Sequence, residues 1–216
     1  GDVYKRQKSE DQLVSLVSLY RDQLRRPADS NFLLDTSGSM RGNRLADLKN
    51  ILNKLIDGTA GESNNPKGFT RRETITLMPF SSKVADGYTQ ENYDPDNAQQ
   101  KQDLRGYVNG LQPRGETAIY DAVLRAYDRA GEGGTLNSIV LMTDGESNSG
   151  TSRQDFITKM THKMAETNHK IPVFVILYGE ANDEEMNFLA NFTGGKVFNA
   201  RGGDLAKAFE EIRSYQ

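Results

Sequence analysis

Phe32-Leu33-Leu34-Asp35-Thr36-Ser37-Gly38-Ser39-Met40 is where the chain first declares its architecture. Three consecutive apolar residues predict a short strand buried on both faces, because an unalternating run has no solvent side. Asp35 stands at its carboxyl end, and Gly38 marks a turn. Beyond the turn Leu45, Leu48, Leu52, Leu55 and Ile56 return at helical spacing and share one face. The local prediction is a strand, a polar turn and a helix, with a carboxylate and three hydroxyls placed at the turn.

The same unit recurs downstream. Thr74 to Phe80 is β-prone, with Pro79 predicting an edge, a bulge or the strand's end. Ser81 to Ala85 is expected to return as a short edge strand, and Gly58 to Arg72 and Gln90 to Gln100 as exposed polar loops. Ile119, Ala122, Val123, Ala126, Tyr127 and Ala130 form a helical stripe directly after Thr117. Ile139 to Met142 and Val173 to Leu177 are short apolar runs. A helix between them turns Phe156, Ile157, Met160 and Met164 inward and starts at a capping pair, Ser152 and Asp155. Asn182 with Glu185 repeats that start signal. A last strand at Val197-Phe198 precedes a last helix through Leu205, Ala208, Phe209 and Ile212. Strands alternating with helices predict an α/β, Rossmann-like open sheet, mostly parallel with one short antiparallel edge strand and helices on both faces. In such sheets ligands bind beyond the strand carboxyl ends, where strand order reverses.

Composition narrows the function classes. The 216 residues suit one domain with a sizeable core. With 27 Lys plus Arg against 30 Asp plus Glu the formal charge is −3, so no basic field favours nucleic acid, and Arg25-Arg26 and Arg71-Arg72 are expected to be solvated surface. The absence of cysteine removes disulfides, thiolate zinc sites and cysteine nucleophiles. No apolar run approaches the roughly 20 residues that span a bilayer, so direct membrane insertion by this chain is not expected. No charged-then-apolar signal segment opens it either. Asp2-Val-Tyr-Lys-Arg-Gln7 resembles translated adapter read-through at the ends of reading frames in assembled environmental sequence. Residues 1–9 are accordingly expected to be disordered or artefactual, residues 10–27 an amphipathic helix and linker ended by Pro27, and residues 28–216 the domain proper.

Three separated fragments share one chemistry: Asp35-Thr-Ser-Gly-Ser-Met40, Gly115-Glu-Thr117 and Thr143-Asp-Gly145. They supply carboxylate and hydroxyl oxygens and no thiol or imidazole. That set suits a hard divalent cation, Mg²⁺ foremost, with Mn²⁺ or Ca²⁺ as substitutes. Taken alone, DTSGSM also reads as a strand end and capping turn. His162 and His169 lack an accompanying ligand pattern and are expected at the surface. Glu116 and Glu146 flank the fragments, which leaves a general base on metal-bound water, and hence a metal-dependent hydrolase, as a minor alternative. Neither a G-x-G-x-x-G turn nor a Gly-Lys-Ser/Thr phosphate loop is present.

In order and content, D-x-S-x-S, a later Thr and T-D-G resemble the von Willebrand factor A (VWA) domain and its metal-ion-dependent adhesion site (MIDAS), over roughly residues 30 to 214. The resemblance implies that Ser37, Ser39 and Thr117 ligate the metal directly and that Asp35 and Asp144 hold it largely through water. It also implies a binding domain without catalysis, whose metal is completed by an acidic side chain of a protein or peptide ligand. Where many relatives carry Gly-Gly-Thr, this chain has Gly115-Glu116-Thr117, which bears on ligand preference. Leu19 to Pro27 followed by Phe32 to Met40 resembles bacterial envelope proteins in which a solute-binding module precedes this domain, implying an extracytoplasmic setting. The alternative is a cytoplasmic scaffold partnering an ATPase or a metal chelatase.

Overall fold

The computed structural model describes residues 1–19, 26–61, 68–130, 136–167, 170–179, 183–200 and 205–214. Its centre is a sheet in the order β3-β2-β1-β4-β5-β6. The strands are β1 (Ala28–Asp35), β2 (Thr74–Phe80), β3 (Tyr88–Gln90), β4 (Leu136–Thr143), β5 (Val173–Leu177) and β6 (Val197–Asn199). All neighbours are parallel except β2 and β3. β1 pairs on one side with β2 and on the other with β4, so the chain reverses its direction of travel across the sheet between these strands. The switch point therefore lies at the carboxyl ends of β1 and β4, as expected for this architecture.

Alternation along β1 divides the core. Phe32 and Leu34 face a cluster with Leu45, Leu48, Leu52 and Leu55 of α2 (Asn43–Asp57), Leu104 and Val108 of α3 (Ala98–Asn109), and Phe209 and Ile212 of α7 (Leu205–Ser214). Leu33 faces the opposite cluster, with Ile119, Ala122 and Val123 of α4 (Ile119–Arg129), Phe156 and Met160 of α5 (Arg153–Thr167), and Met186 and Leu189 of α6 (Asp183–Thr193). Every residue of the α2 stripe is buried, as is most of the α4 stripe, which is why those helices were legible as periodicity. Asp155 N–H donates to the Ser152 hydroxyl, 3.2 Å, as the capping pair requires.

Several expectations are corrected. The antiparallel edge strand is Tyr88–Gln90, whereas Ser81 to Ala85 contributes only a bridge between Phe80 and Val84. The chain turns back at Gly87, φ +77°, where a Cβ would sit 1.9 Å from the Leu77 carbonyl oxygen, so only glycine permits the approach. Pro79 is tolerated because β3 pairs only with Ile75 to Leu77 and stops short of it. The helix α3 had no sequence signal: it buries only Leu104 and Val108, and its polar surface conceals any stripe. Within the expected loop 58–72, Ala60 and Phe69 are buried, Phe69 edge-on to Phe32 with ring centroids 5.7 Å apart.

The first helix, α1, runs Asp2–Leu19, beginning eight residues ahead of the expected position and taking in the segment expected to be disordered. Good helix formers such as Lys5, Arg6, Gln7 and Glu10 extend the register, with Gln7 donating to Asp11 across one turn. Residues 1–17 are exposed throughout, Leu13 and Leu16 included. Arg25, His169 and the Asn182 cap fall outside the described residues. Among the described residues no helix is long and apolar enough to cross a membrane.

Candidate metal centre

The five expected donors come from three loops at one sheet edge, and backbone hydrogen bonds join those loops. Thr36 N–H and its hydroxyl both donate to the Phe80 carbonyl, at 2.9 and 3.2 Å, fixing the end of β1 to the end of β2. Arg114 N–H donates to the Thr36 carbonyl at 2.8 Å, and Gly38 N–H to the Gly115 carbonyl at 2.9 Å. The second fragment is thus laid against the first.

Asp35 is fully buried. Ser37 N–H donates to its Oδ1 at 2.9 Å and the Thr143 hydroxyl to its Oδ2 at 2.7 Å, which locks the carboxylate between β1 and β4. Burial pushes the Asp35 carboxyl above its ordinary value, and the charge of Asp144 adds to the rise; the hydrogen bonds from Ser37 and Thr143 oppose it. The Ser37 and Ser39 hydroxyl oxygens lie 3.1 Å apart, close enough to share one cation. Ser37 is buried and Ser39 exposed, so the pair leads from interior to surface.

Thr117 enters from the start of α4 and is held by the loop after β4. Its N–H donates to Asn148 Oδ1 at 2.8 Å, while its carbonyl accepts from Asn148 N–H at 2.9 Å and Ser149 N–H at 3.1 Å. Only its backbone is engaged: among the described residues the Thr117 hydroxyl has no hydrogen-bond partner, although the residue is 1% exposed. The far end of that loop is anchored by Asp121, which accepts from Thr151 N–H and hydroxyl at 2.9 and 2.5 Å. Gly150, φ +77°, gives the carboxylate room, since a Cβ there would meet Asp121 Oδ2 at 1.8 Å.

Asp144, also fully buried, follows β4 directly. Its Oδ1 accepts from Glu146 N–H at 3.2 Å and its Oδ2 from Arg44 Nη1 at 3.1 Å. Glu116 is exposed and Glu146 half-buried at the rim. The site therefore assembles Asp35, Ser37, Ser39, Thr117 and Asp144 from separate elements. The donors fit a hard cation: two buried carboxylates, a hydrogen-bonded hydroxyl pair, and the hydroxyl of Thr117, a residue only 1% exposed. Among the described residues no group of three or more acidic or histidine side chains is placed to hold a metal ion. His162 is exposed and pairs with Glu166, 3.1 Å, away from the site.

Sequence reading missed Thr143, Asn148 and Arg44 as supports. Asn and Arg beside such a motif read as surface polarity until the fold brings their partners close. A groove opens beside Thr36, lined by Phe80, Lys83, Tyr107, Leu111 and Arg114 among others.

Comparison with known proteins bears on the fold and the family. The bovine (Bos taurus) inter-alpha-trypsin inhibitor heavy chain H3 is 27% identical over 173 residues, covering 76% of this chain and 18% of that protein. This chain thus spans about a fifth of the length of the curated relatives it matches. Among solved structures, a von Willebrand factor type A protein from Catenulispora acidiphila superposes with TM-score 0.63 at 18% identity, covering 86% of this chain and 42% of that one. The pilus adhesin SpaC from Lactobacillus rhamnosus GG gives TM-score 0.60 at 16% identity, over 90% of this chain and 31% of that one. Proximal thread matrix protein 1 from the mussel byssus, with a zinc-occupied MIDAS motif, gives 0.56 at 18% identity, over 88% of this chain and 48% of that one. Likeness at such identities speaks to fold, and the assignment rests on the sequence profile: residues 31–212 match the von Willebrand factor type A domain, and the chain belongs to that family.

Proposed function

We propose that this VWA domain is a divalent-metal-dependent protein-binding module whose cation, Mg²⁺ in the first instance, is held by Asp35, Ser37, Ser39, Thr117 and Asp144 and completed by an acidic side chain of the ligand. Domains of this family typically mediate protein–protein interaction and adhesion. The observation that carries the metal reading is the gathering of oxygen donors from three loops around the switch point, with the Ser37 and Ser39 hydroxyls 3.1 Å apart beside two buried carboxylates. Neutral hydroxyls leave most of a divalent ion's charge uncancelled, so a bound ion at this exposed rim would remain attractive to an incoming carboxylate.

What the chain's own residues do is hold the site open and oriented. Thr143 and the Ser37 N–H fix Asp35, Asn148 fixes Thr117, and Glu146 N–H fixes Asp144. The groove beside Thr36 offers space for ligand flanking the metal-bound residue, with the cations Lys83 and Arg114 on its wall and no carboxylate among its lining residues. Bond-breaking chemistry has no support in this arrangement. Glu116 and Glu146 are the only extra carboxylates next to the three fragments, and neither is sequestered from solvent. The extracytoplasmic, envelope-associated setting rests on the resemblance around Leu19 to Met40 and accords with relatives such as the pilus adhesin.

Isothermal calorimetry with Mn²⁺ and Mg²⁺ on the wild type and on Ser37→Ala/Ser39→Ala tests the assignment. One ion per wild-type chain and a large loss of affinity in the double variant are expected. Equal binding by the two proteins would overturn it.

A further inference from the structure

Arg44 occupies a position that its own helix disfavours. It lies in the first turn of α2, which contains no acidic residue there, and a cation at a helix amino terminus opposes the helix dipole. The compensation is tertiary. Arg44 Nη1 lies 3.1 Å from Asp144 Oδ2, and the carboxylate is fully buried while the guanidinium side chain is 40% exposed. The loop after β5 is shaped around this guanidinium: at Gly179, φ +105°, a Cβ would come within 3.0 Å of Arg44 Nη2. Any larger residue there would press on the ion pair. With Glu146 N–H on Oδ1, both oxygens of Asp144 have protein partners.

The geometry points to Arg44 as a tethered cation that sets the divalent-metal affinity of this site. It neutralises Asp144 when no metal is bound, which keeps two buried carboxylates compatible with a folded rim. It opposes an arriving divalent ion by its like charge and its hold on Oδ2. The inference rests on the metal assignment made above and goes beyond it by naming the residue that tunes occupancy. Like charges a few ångströms apart near a protein surface repel enough to alter an equilibrium constant by about tenfold.

The test uses the full chain with Arg44→Gln and Arg44→Met, two neutral replacements of different shape, and Arg44→Lys, which keeps the charge. Mn²⁺ affinity is read by electron paramagnetic resonance of the free ion, and thermal midpoints are taken with chelator and with saturating Mn²⁺. Both neutral variants are expected to bind Mn²⁺ about tenfold more tightly, to melt lower than wild type in chelator, and to show a larger rise in midpoint on adding metal. Arg44→Lys should stay within about threefold of wild type. If all three variants shift alike, or the neutral ones bind no more tightly than wild type, Arg44 is a packing residue and the inference fails while the metal site stands. If wild type and Ser37→Ala/Ser39→Ala bind Mn²⁺ indistinguishably, the metal assignment itself fails and takes this inference with it.

Discussion

At Thr117 the backbone and the side chain have separate tasks. The backbone is clamped by Asn148 and Ser149 and the hydroxyl is left unpartnered, so the residue is positioned by one loop for use by another. Asn148→Ala would strand the Thr117 N–H in a buried setting, at a cost of about 1–2 kcal/mol in stability. Chemical denaturation should read that loss, and metal affinity should fall with it. A variant as stable as wild type would show that the clamp is dispensable. Thr117→Ala, in contrast, should leave the fold intact and weaken metal-dependent ligand binding. Tyr93 makes a different prediction. Its hydroxyl is buried with no hydrogen-bond partner among the described residues, and burial, with the nearby Glu73 charge, pushes the phenol up to about 12. Below about pH 10 the phenol is neutral in both states and its contribution is complete. As pH rises from there toward about 12, the unfolded chain ionises first, so stability falls. Tyr93→Phe should flatten that alkaline loss, measured as urea midpoints between about pH 9 and 11.5.

Among elements, the last helix is held to the sheet by more than its apolar face. Arg213 of α7 donates to Glu73, which precedes β2, at 2.6 and 3.3 Å, and Thr70 adds its N–H and hydroxyl at 3.3 and 3.1 Å. Glu73 is fully buried and Arg213 only 11% exposed, so the buried carboxylate relies on this guanidinium to balance its charge. Removing one partner of such a pair costs about 3–5 kcal/mol, whereas a surface pair gives well under 1 kcal/mol. Glu73→Gln should therefore lower the thermal midpoint by roughly 10 °C. Arg71→Ala, which breaks only the exposed pairs with Asp94 and Asp96, should change it little. A comparable effect from both would mean that burial gives the Glu73 cluster no more weight than an exposed pair. The edge of the sheet carries a similar lesson. Gly87→Ala should destabilise strongly, because its Cβ would collide with the Leu77 carbonyl and deform the antiparallel pairing of β2 with β3.

On the scale of the whole molecule, the described core forms without residues 1–17 and without the five donors. Neither hydrophobic cluster includes any of residues 1–17, whose apolar side chains are exposed. Removing residues 1–19 should leave the thermal midpoint within about 2 °C of the intact chain. A larger fall would reveal packing between α1 and the domain. Metal removal should likewise tune the domain without unfolding it. Binding to the native state alone contributes roughly 1.4–2.7 kcal/mol for metal at about 10 to 100 times Kd, so a chelator should lower the midpoint by only a few degrees. Unfolding by chelator would contradict an apolar core independent of the donors. By itself the sequence determined the strand-and-helix alternation and the three motif fragments that the fold brings to one edge. Burial imprints periodicity on neighbouring residues, as in Leu45 to Ile56, and motif chemistry sits in contiguous runs, as in Asp35 to Met40. Polar surfaces hid α3, and a turn that only glycine permits moved the edge strand to Tyr88–Gln90. Only the tertiary structure decided the supports of the site and the anchoring of its helices. Arg44 and Asp144 are 100 residues apart in sequence, Thr117 and Asn148 are 31 apart, and Glu73 and Arg213 are 140 apart. No local pattern links such pairs, because their free energy exists only once parallel strands and crossover helices have brought the loops to one edge.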